Sequence, residues 1–313
     1  MSKTSRSEGV FTEPIAEAFA EEWVAFVHSI GANGRLRLAP TPSGFLHIGN
    51  AVNFTLNWLA ARLSPGAKLL LRIDDLDAQR KRPAYVRDIF DTLRWLGLDW
   101  DEGPRSEEEL EGRWSQLRRL PLYEEVLARL RQEGYLFACA KSRRQLAPFQ
   151  GLYPEAFRHQ PCALDDAGVA WRLRTPLPQN VHYMPPDFVV RRRDGLPAYQ
   201  VVSVADDVYL GVTHVIRGED LRPSTHAQQY LAHCAGLDAF SRIRFLHHPL
   251  LFDEKGHKLS KSAGMQPSPL IGQRQHSPTF VFRTVAQWLG IEDGPNTAAE
   301  LLEAARRKGH GAA

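Results

Sequence analysis

Two short segments of the chain carry residues suited to phosphate chemistry. The first is "APTPSGFLHIGN", residues 39–50, where a Pro-rich turn leads into the start of a helix. Gly44 and Gly49 allow close backbone approach at a strand-to-helix turn, where free N–H groups and the positive helix end can face a polyphosphate. His47 can donate to a phosphate oxygen whose charge grows during attack. Alone, a histidine before a helix is more often a cap or packing residue.

The second segment is "KLSKS", residues 258–262, which follows "FDEKGH". Lys258 and Lys261, three residues apart in a Ser- and Gly-containing loop, can fold over a triphosphate and supply positive charge to a departing pyrophosphate. Alone, such a loop is usually a solvated surface turn. Taken together and in this order, the two segments predict a nucleotide site.

The elements around these segments alternate between strand and helix. "GRLRLAP" predicts a strand before the first segment, "AVNFTLNWLAARLS" a helix after it, "AKLLLRIDDLD" a buried strand ending in acids, and "AYVRDIFDTLRWLGL" another helix. This order is typical of a doubly wound α/β parallel sheet. Farther along, "LPAYQVVSVADDVYLGVTHVIRGED" reads as apolar strands ending in acids, before the helix "STHAQQYLAHCAGL" and the strand "IRFLHHPLLF".

The middle of the chain breaks this rhythm and predicts an inserted α+β lobe. It holds one helix, "PLYEEVLARLRQEG", and short β-like pieces such as "VAWRLRT" and "DFVVRRRDG". The predicted organisation is an N-terminal extension with a helix (1–34), a first catalytic half (35–130), the inserted lobe (131–190), a second catalytic half (191–262) and short C-terminal helices (263–313).

Composition narrows the class of protein. The chain has no run of eighteen apolar residues, and its first thirty residues are acidic where a signal peptide needs a basic start. Three widely spaced cysteines argue against a disulfide framework. We therefore expect a cytoplasmic protein with no membrane contact.

The net charge is only +3, but Arg191, Arg192 and Arg193 are consecutive and form either a phosphate-facing stripe or a solvated face.

Four segments, "RLAPTPSGFLHIGN", "LLRIDDLD", "AYQVVSVADDVYLGVTHVIRGEDL" and "KLSKS", resemble the class I aminoacyl-tRNA synthetases, and within them the glutamyl-tRNA synthetase branch. The resemblance covers residues 35–262 and implies a Rossmann-type catalytic domain that uses ATP and Mg²⁺. It implies catalytic roles for His47, Gly49, Lys258 and Lys261. It also implies ATP contacts from Pro42, Ser43, His47, Gly49, Asn50 and Lys261; Asn50 stands where the wider family usually has histidine, and this branch often has asparagine.

The same resemblance implies a glutamate pocket. Its residues would be Arg37, Ala39, Thr41, Asp74, Tyr199 and Arg217. Arg217 would bind the side-chain carboxylate as a planar bidentate partner, and Asp74 would receive the α-ammonium group. The branch usually has glutamate in the place of Asp74, so this side chain is one methylene shorter and leaves the size of the pocket open. The structural alternative for Arg217 is a strand-end pair with Glu219 or Asp220.

Fifty-one residues follow Ser262, too few for the large helical anticodon-binding region of the full-length enzymes. The chain therefore resembles a shortened branch of the family, whose members activate glutamate without tRNA and transfer it to queuosine at the wobble position of tRNA(Asp). This implies glutamate and the tRNA(Asp) anticodon arm as partners of a monomer. The arginine-rich insertion is the candidate surface for that arm.

The inserted lobe departs from that branch, which usually holds zinc through a Cys-x-Cys pair, a tyrosine and a third cysteine. Cys139 and Tyr153 remain at two of these positions, but Lys141 and Phe157 stand at the others. We therefore do not expect zinc; a substitute site of Cys139, His159 and Cys162 is the alternative.

Two other functions stay open at this point. One is a paralogue that activates glutamate for another acceptor or binds RNA without catalysis, which the lost zinc ligands and Asp74 favour. Glutamate-dependent pyrophosphate exchange separates an active enzyme from a silent binder. The other is a nucleotidyltransferase that makes a dinucleotide cofactor, which would not explain "VIRGED" and "KLSKS" jointly.

Overall fold

The structure is a computed structural model that describes residues 13–150, 152–176, 185–252, 259, 268–271 and 277–311. Its helices are α1 (Glu13–His28), α2 (Ile48–Leu63), α3 (Pro83–Trp95), α4 (Glu107–Glu109), α5 (Leu120–Gln132), α6 (Arg143–Leu146), α7 (Tyr199–Tyr209), α8 (Arg222–Cys234), α9 (Asp238–Ser241), α10 (Pro278–Trp288) and α11 (Ala298–Arg307). Its strands are β1 (Arg35–Leu38), β2 (Lys68–Leu71), β3 (Leu136–Cys139), β4 (Ala170–Leu173), β5 (Phe188–Arg191), β6 (His214–Gly218) and β7 (Arg244–His248).

The chain forms two compact units. The first comprises Met1–Arg118, Val212–Glu219 and Arg244–Ala313, and the second comprises Arg119–Gly211 and Asp220–Ile243. The chain therefore leaves the first unit and returns to it. Among the helices of the described residues, none is long and apolar enough to cross a membrane.

The first unit contains the parallel strands. β1 pairs with β2, and β6 pairs with β7, both in parallel register. Thr213, directly before β6, joins the two pairs, because its N–H donates to the Arg35 carbonyl (2.9 Å) and its Oγ1 accepts from the Arg35 N–H (2.8 Å). Most residues of these four strands are buried, as expected for parallel strands covered by helices. These features confirm the predicted α/β fold class with parallel strands.

Buried helices pack around these strands. Most side chains of α2 are buried, including Leu56, Leu59 and Ala60, so the helix packs into the core along its length. Trp23 of α1 and Trp288 of α10 are fully buried in the same core. Helix α1 therefore packs on the main body of the first unit.

The second unit contains the inserted lobe and three longer helices, α5, α7 and α8. Its sheet is antiparallel, in the order β3, β4, β5. In α7, the Asp206 carboxylate is fully buried and accepts two hydrogen bonds from Arg119 (2.7 and 2.8 Å) and one from the Tyr123 hydroxyl (2.8 Å). A buried carboxylate needs such full pairing, because an unpaired one would cost several kcal/mol.

One secondary-structure prediction was wrong. We expected "AYQVVSVADDVY" to be strand, whereas residues 199–209 form helix α7. Residues 201–207 are all buried, so the segment shows neither the alternation of a strand nor the polar face of a surface helix. Its β-branched valines favoured strand locally, and tertiary packing overrode that preference.

A buried histidine links α1 to β6. His214 lies with Nε2 3.2 Å from Ser29 Oγ and Nδ1 2.8 Å from Thr213 Oγ1. Burial lowers the pKa of His214 to about 4, and the positive charge of Arg244 acts in the same direction.

The free energy of unfolding should fall as the pH is lowered from 6.5 to 4. An unfolded histidine has a pKa of about 6.5, so in this window the unfolded chain binds more protons than the folded chain, and His214 accounts for about 3 kcal/mol of the loss. His214→Gln should reduce that loss in urea unfolding measured at several pH values. His28→Gln, at an exposed position of α1, is the control. A loss of equal size in the parent and the His214 variant would contradict the assignment.

Candidate active site

The loop between β1 and α2, residues 39–47, is the centre of the candidate site. β1 ends at Leu38 and α2 begins at Ile48, with His47 as an extended N-cap residue (φ −114°, ψ 170°). The His47 N–H donates to the Asn50 side-chain oxygen at 3.0 Å. The α2 N-terminus therefore opens directly behind the loop, and its positive dipole end favours an anion there.

A cavity of about 660 Å³ opens over this loop. Among its lining residues are five of the predicted ones: Ala39, Thr41, Ser43, His47 and Asn50. Gly44 also lines it, which leaves a backbone surface open to a ligand.

The cavity also has lining residues that we did not predict. Gln79, Arg80, Arg82 and Tyr85, from the turn after β2 and the start of α3, close one side of it. The run "QRKRP" was a visible basic signal, but only the fold brings it opposite the loop. Two guanidinium groups beside a helix N-terminus suit a polyphosphate.

The imidazole ring of His47 leaves little room for a side chain at position 49, which explains the glycine there. A Cβ atom built at Gly49 would lie 3.0 Å from Cε1 and 3.1 Å from Nδ1 of His47. Any larger residue at position 49 would therefore push the His47 ring from its place. This contact gives the His-x-Gly spacing a geometric reason.

The two predicted pocket arginines lie in the parallel strands. Arg37 of β1 is 5% exposed and Arg217 of β6 is 3% exposed. The Arg217 guanidinium lies 4.8 Å from the Phe245 ring centre, in cation–π contact. Asn53 and Asn57 of α2 both donate to the Ile216 carbonyl at 3.1 Å, which fixes the backbone directly before Arg217.

Asp74 lies just beyond the end of β2 and is already engaged. Its carboxylate accepts from Arg72 through Nε (2.7 Å) and a terminal nitrogen (3.2 Å), and from Gln116 Nε2 (3.1 Å). This arrangement holds the carboxylate in one orientation. An α-ammonium group would have to share it with the hydrogen bonds that Arg72 and Gln116 donate.

The neighbouring Asp75 organises the turn that leads to the cavity. Its buried carboxylate accepts from Lys81 Nζ (2.9 Å), Ser115 Oγ (2.8 Å) and the Gln116 N–H (2.8 Å). Burial alone would lower the pKa of Lys81, but its hydrogen bonds to Glu111 and Asp75 outweigh that and raise it. Lys81 therefore stays charged, and its ion pairs hold the backbone directly after Arg80 in place.

Two further predicted residues are among the described residues, and two are not. Pro42 is buried within the loop, while Tyr199 begins α7 in the second unit and is 45% exposed. Lys258 and Lys261 lie outside the described residues. Their roles, like the roles of the other predicted site residues, stay predictions.

The four lobe positions considered for zinc, Cys139, Lys141, Tyr153 and Phe157, do not offer four metal ligands. The Tyr153 hydroxyl donates to Cys139 Sγ at 3.1 Å, and Lys141 Nζ lies 4.7 Å from the Phe157 ring centre. An ammonium group over an aromatic ring is favourable and offers no lone pair to a metal. Among the described residues, no cluster of three or more His, Cys, Asp or Glu side chains is arranged to bind a metal.

Comparison with known proteins identifies the family. Residues 34–152 and 163–301 match the catalytic domain of class I tRNA synthetases (E and Q). A glutamyl-Q tRNA(Asp) synthetase of Pseudomonas paraeruginosa is 39% identical over 279 residues, which cover 85% of this chain and 90% of that protein. A glutamyl-Q tRNA(Asp) synthetase of Pseudomonas fluorescens is 40% identical over 244 residues, covering 74% of this chain and 77% of that protein.

A solved structure shows the same fold. The glutamate tRNA ligase of Elizabethkingia meningosepticum, crystallised with its amino acid, superposes with a TM-score of 0.64 at 22% identity. The match covers 87% of this chain and 64% of the ligase, and at this identity it shows the fold alone. The chain therefore belongs to the class I tRNA synthetase (E and Q) catalytic-domain family, and within it to the glutamyl-Q tRNA(Asp) synthetases.

Proposed function

We propose that this protein activates glutamate with ATP, without tRNA, to glutamyl-adenylate and pyrophosphate, and then transfers the glutamyl group to queuosine at the wobble position of tRNA(Asp). The observation that carries this proposal is the cavity over the loop 39–47, which brings Thr41, Ser43, His47 and Asn50 together at a helix N-terminus. The similarity to glutamyl-Q tRNA(Asp) synthetases supports the choice of substrates.

In the proposed first step the glutamate α-carboxylate attacks the α-phosphate of ATP, and the bond to the pyrophosphate breaks. The nucleophile comes from the substrate, so the protein supplies position and charge stabilisation rather than a base. His47 would donate to the phosphate oxygen on which charge grows. Arg80 and Arg82, which line the same cavity, would face the negative charge of the triphosphate.

The cavity lining offers cationic, amide and hydroxyl groups but no carboxylate among the described residues. These groups fit ATP, whereas a magnesium ion would be held by the phosphate oxygens of its ATP complex. When bound there, magnesium would neutralise part of the charge on the departing pyrophosphate. Lys258 and Lys261 are proposed to stabilise the same group.

The glutamate substrate is proposed to lie between the buried arginines and Asp74. Arg217 would bind the side-chain carboxylate, since a guanidinium can hold a carboxylate through two parallel hydrogen bonds. Arg37, Ala39 and Thr41 would complete the pocket. Asp74, oriented by Arg72, would accept the α-ammonium group.

The second step is proposed to occur on the anticodon arm of tRNA(Asp). A hydroxyl of queuosine would attack the carbonyl carbon of the adenylate, forming an ester and releasing AMP. Arg191 and Arg193 of the second unit are candidate phosphate contacts. We further propose that the protein acts as a monomer in the cytoplasm, where ATP and tRNA are present.

A charging assay with tRNA(Asp) that contains or lacks queuosine tests the proposal. Labelled glutamate should be attached only to the queuosine-containing tRNA, and pyrophosphate exchange should require glutamate but no tRNA. Unmodified tRNA(Asp) and tRNA(Glu) are the controls. Charging of tRNA(Glu), or exchange that does not depend on glutamate, would refute the proposal.

Gly49→Ala should reduce pyrophosphate exchange by about ten- to hundredfold, because the new methyl group would displace the His47 ring by a fraction of an ångström or more. The melting temperature should stay equal or rise, since alanine is favoured over glycine in a helix by about 1 kcal/mol. Gly31→Ala is the matched control, as its added Cβ meets nothing within 4 Å. Unchanged exchange in Gly49→Ala would argue against a catalytic role for His47.

Arg191→Ala combined with Arg193→Ala should weaken transfer to RNA by about tenfold or more and flatten its salt dependence, since each lost phosphate contact removes counterion release. Pyrophosphate exchange should stay within about twofold of the parent. Arg129→Ala is the control, because Arg129 is an exposed cation of the same unit, paired with Glu125 at 2.5 Å. Equal loss of exchange and transfer would reject this surface.

A further inference from the structure

A buried carboxyl group on α3 contacts the candidate active-site loop. Asp88 is 4% exposed, and its Oδ2 accepts the Leu46 N–H at 2.7 Å. Its Oδ1 is buried and has no hydrogen-bond partner in the part of the chain that the structure describes. Burial raises the pKa of Asp88, the hydrogen bond from Leu46 opposes that rise, and the nearby charge of Asp91 adds to it.

This arrangement is unfavourable for a residue that only packs. Transferring a carboxyl group into a core costs several kcal/mol unless its oxygens are paired, and here a single backbone amide is the recorded partner. The next two residues of the helix, Ile89 and Phe90, are buried apolar side chains. An apolar residue at position 88 would therefore suit the core better. This indicates that Asp88 serves the loop through the backbone amide whose hydrogen bond it accepts.

That amide lies directly before His47. The Leu46 N–H is held by Asp88, and the next N–H, that of His47, is held by Asn50 at 3.0 Å. Two successive amides of the loop are therefore fixed by side-chain oxygens from different helices, α3 and α2. A backbone held at two consecutive residues leaves the His47 side chain only its own two rotatable bonds.

A second contact joins α3 to the same loop. The Phe45 and Tyr85 rings meet edge to face, with 5.0 Å between their centres. Tyr85 lies one helical turn before Asp88, so both residues hold the loop from one side of α3. The loop is therefore supported by α3 through a ring contact and a buried hydrogen bond.

We propose that Asp88 is a positioning residue for the active-site loop: its hydrogen bond to the Leu46 amide sets the place of the His47 imidazole over the cavity. Asp88 does not touch the substrate in this account, and it acts only through the backbone. The kinetic part of this proposal rests on the proposed adenylation of glutamate.

Two variants remove the acceptor and one keeps it. Asp88→Ala and Asp88→Leu cannot accept the amide hydrogen bond; Asp88→Leu keeps the branch at Cγ but is larger, whereas Asp88→Ala is smaller. Asp88→Asn keeps an acceptor oxygen in the same place without a charge. Thr92→Val is the matched control, because Thr92 is a buried polar residue one turn farther along α3 whose hydroxyl has no partner among the described residues.

In glutamate-dependent pyrophosphate exchange, Asp88→Ala and Asp88→Leu should lose about ten- to hundredfold in kcat, with a change in KM for glutamate of less than about threefold. Asp88→Asn should recover kcat to within about threefold, and Thr92→Val should stay within about twofold. Amide hydrogen exchange at Leu46 and His47 should speed up at least about tenfold in Asp88→Leu and stay at the parent rate in Asp88→Asn.

Three results would overturn the proposal: a folded Asp88→Leu with parental kcat, an Asp88→Asn as impaired as Asp88→Leu, or unchanged amide exchange at Leu46. If neither Asp88→Ala nor Asp88→Leu folds, Asp88 is a folding residue and the proposal is rejected. Absence of glutamate-dependent exchange in the parent protein would instead refute the proposed function, and amide exchange alone would still show whether Asp88 fixes the loop.

Discussion

The fixed backbone of residues 39–47 is the constraint on which the candidate site depends. The loop starts from a buried parallel strand and ends at the N-terminus of a buried helix, so neither end can move without disturbing the core. Side chains of two helices bind its Leu46 and His47 amides. Electrostatic stabilisation of a transition state requires dipoles that are already oriented before the reaction. A loop held in this way meets that requirement.

The same principle applies to the charged groups at the ends of the strands. Arg72 orients Asp74, and Lys81 with two further donors orients Asp75. Buried ion pairs of this kind contribute little net stability, because desolvation offsets the attraction. These ion pairs instead fix the position of each charged group. In the inserted lobe, the Phe157 ring lies edge to face with the rings of Phe149 and Tyr153, and the Lys141 ammonium group lies over it, so these side chains pack against one another.

The sequence predicts much of this architecture, because local signals and tertiary structure agree. Helices α2, α3 and α5 and strands β1 and β2 follow from apolar periodicity and from breakers such as Pro65. Helix α7 does not, since it is buried on all sides and rich in valine. The loop with His47 and Gly49 was predicted from residue types at short spacing. The approach of Arg82, Tyr85 and Asp88 was not, because it depends on how α3 packs.

A crystal structure with a non-hydrolysable glutamyl-adenylate analogue tests the central claim most directly. The account predicts the analogue's phosphate within hydrogen-bond distance of His47, at the N-terminus of α2, and its side-chain carboxylate paired with Arg217. An analogue bound away from the loop 39–47, or one whose carboxylate is held by groups other than Arg217, would contradict the account.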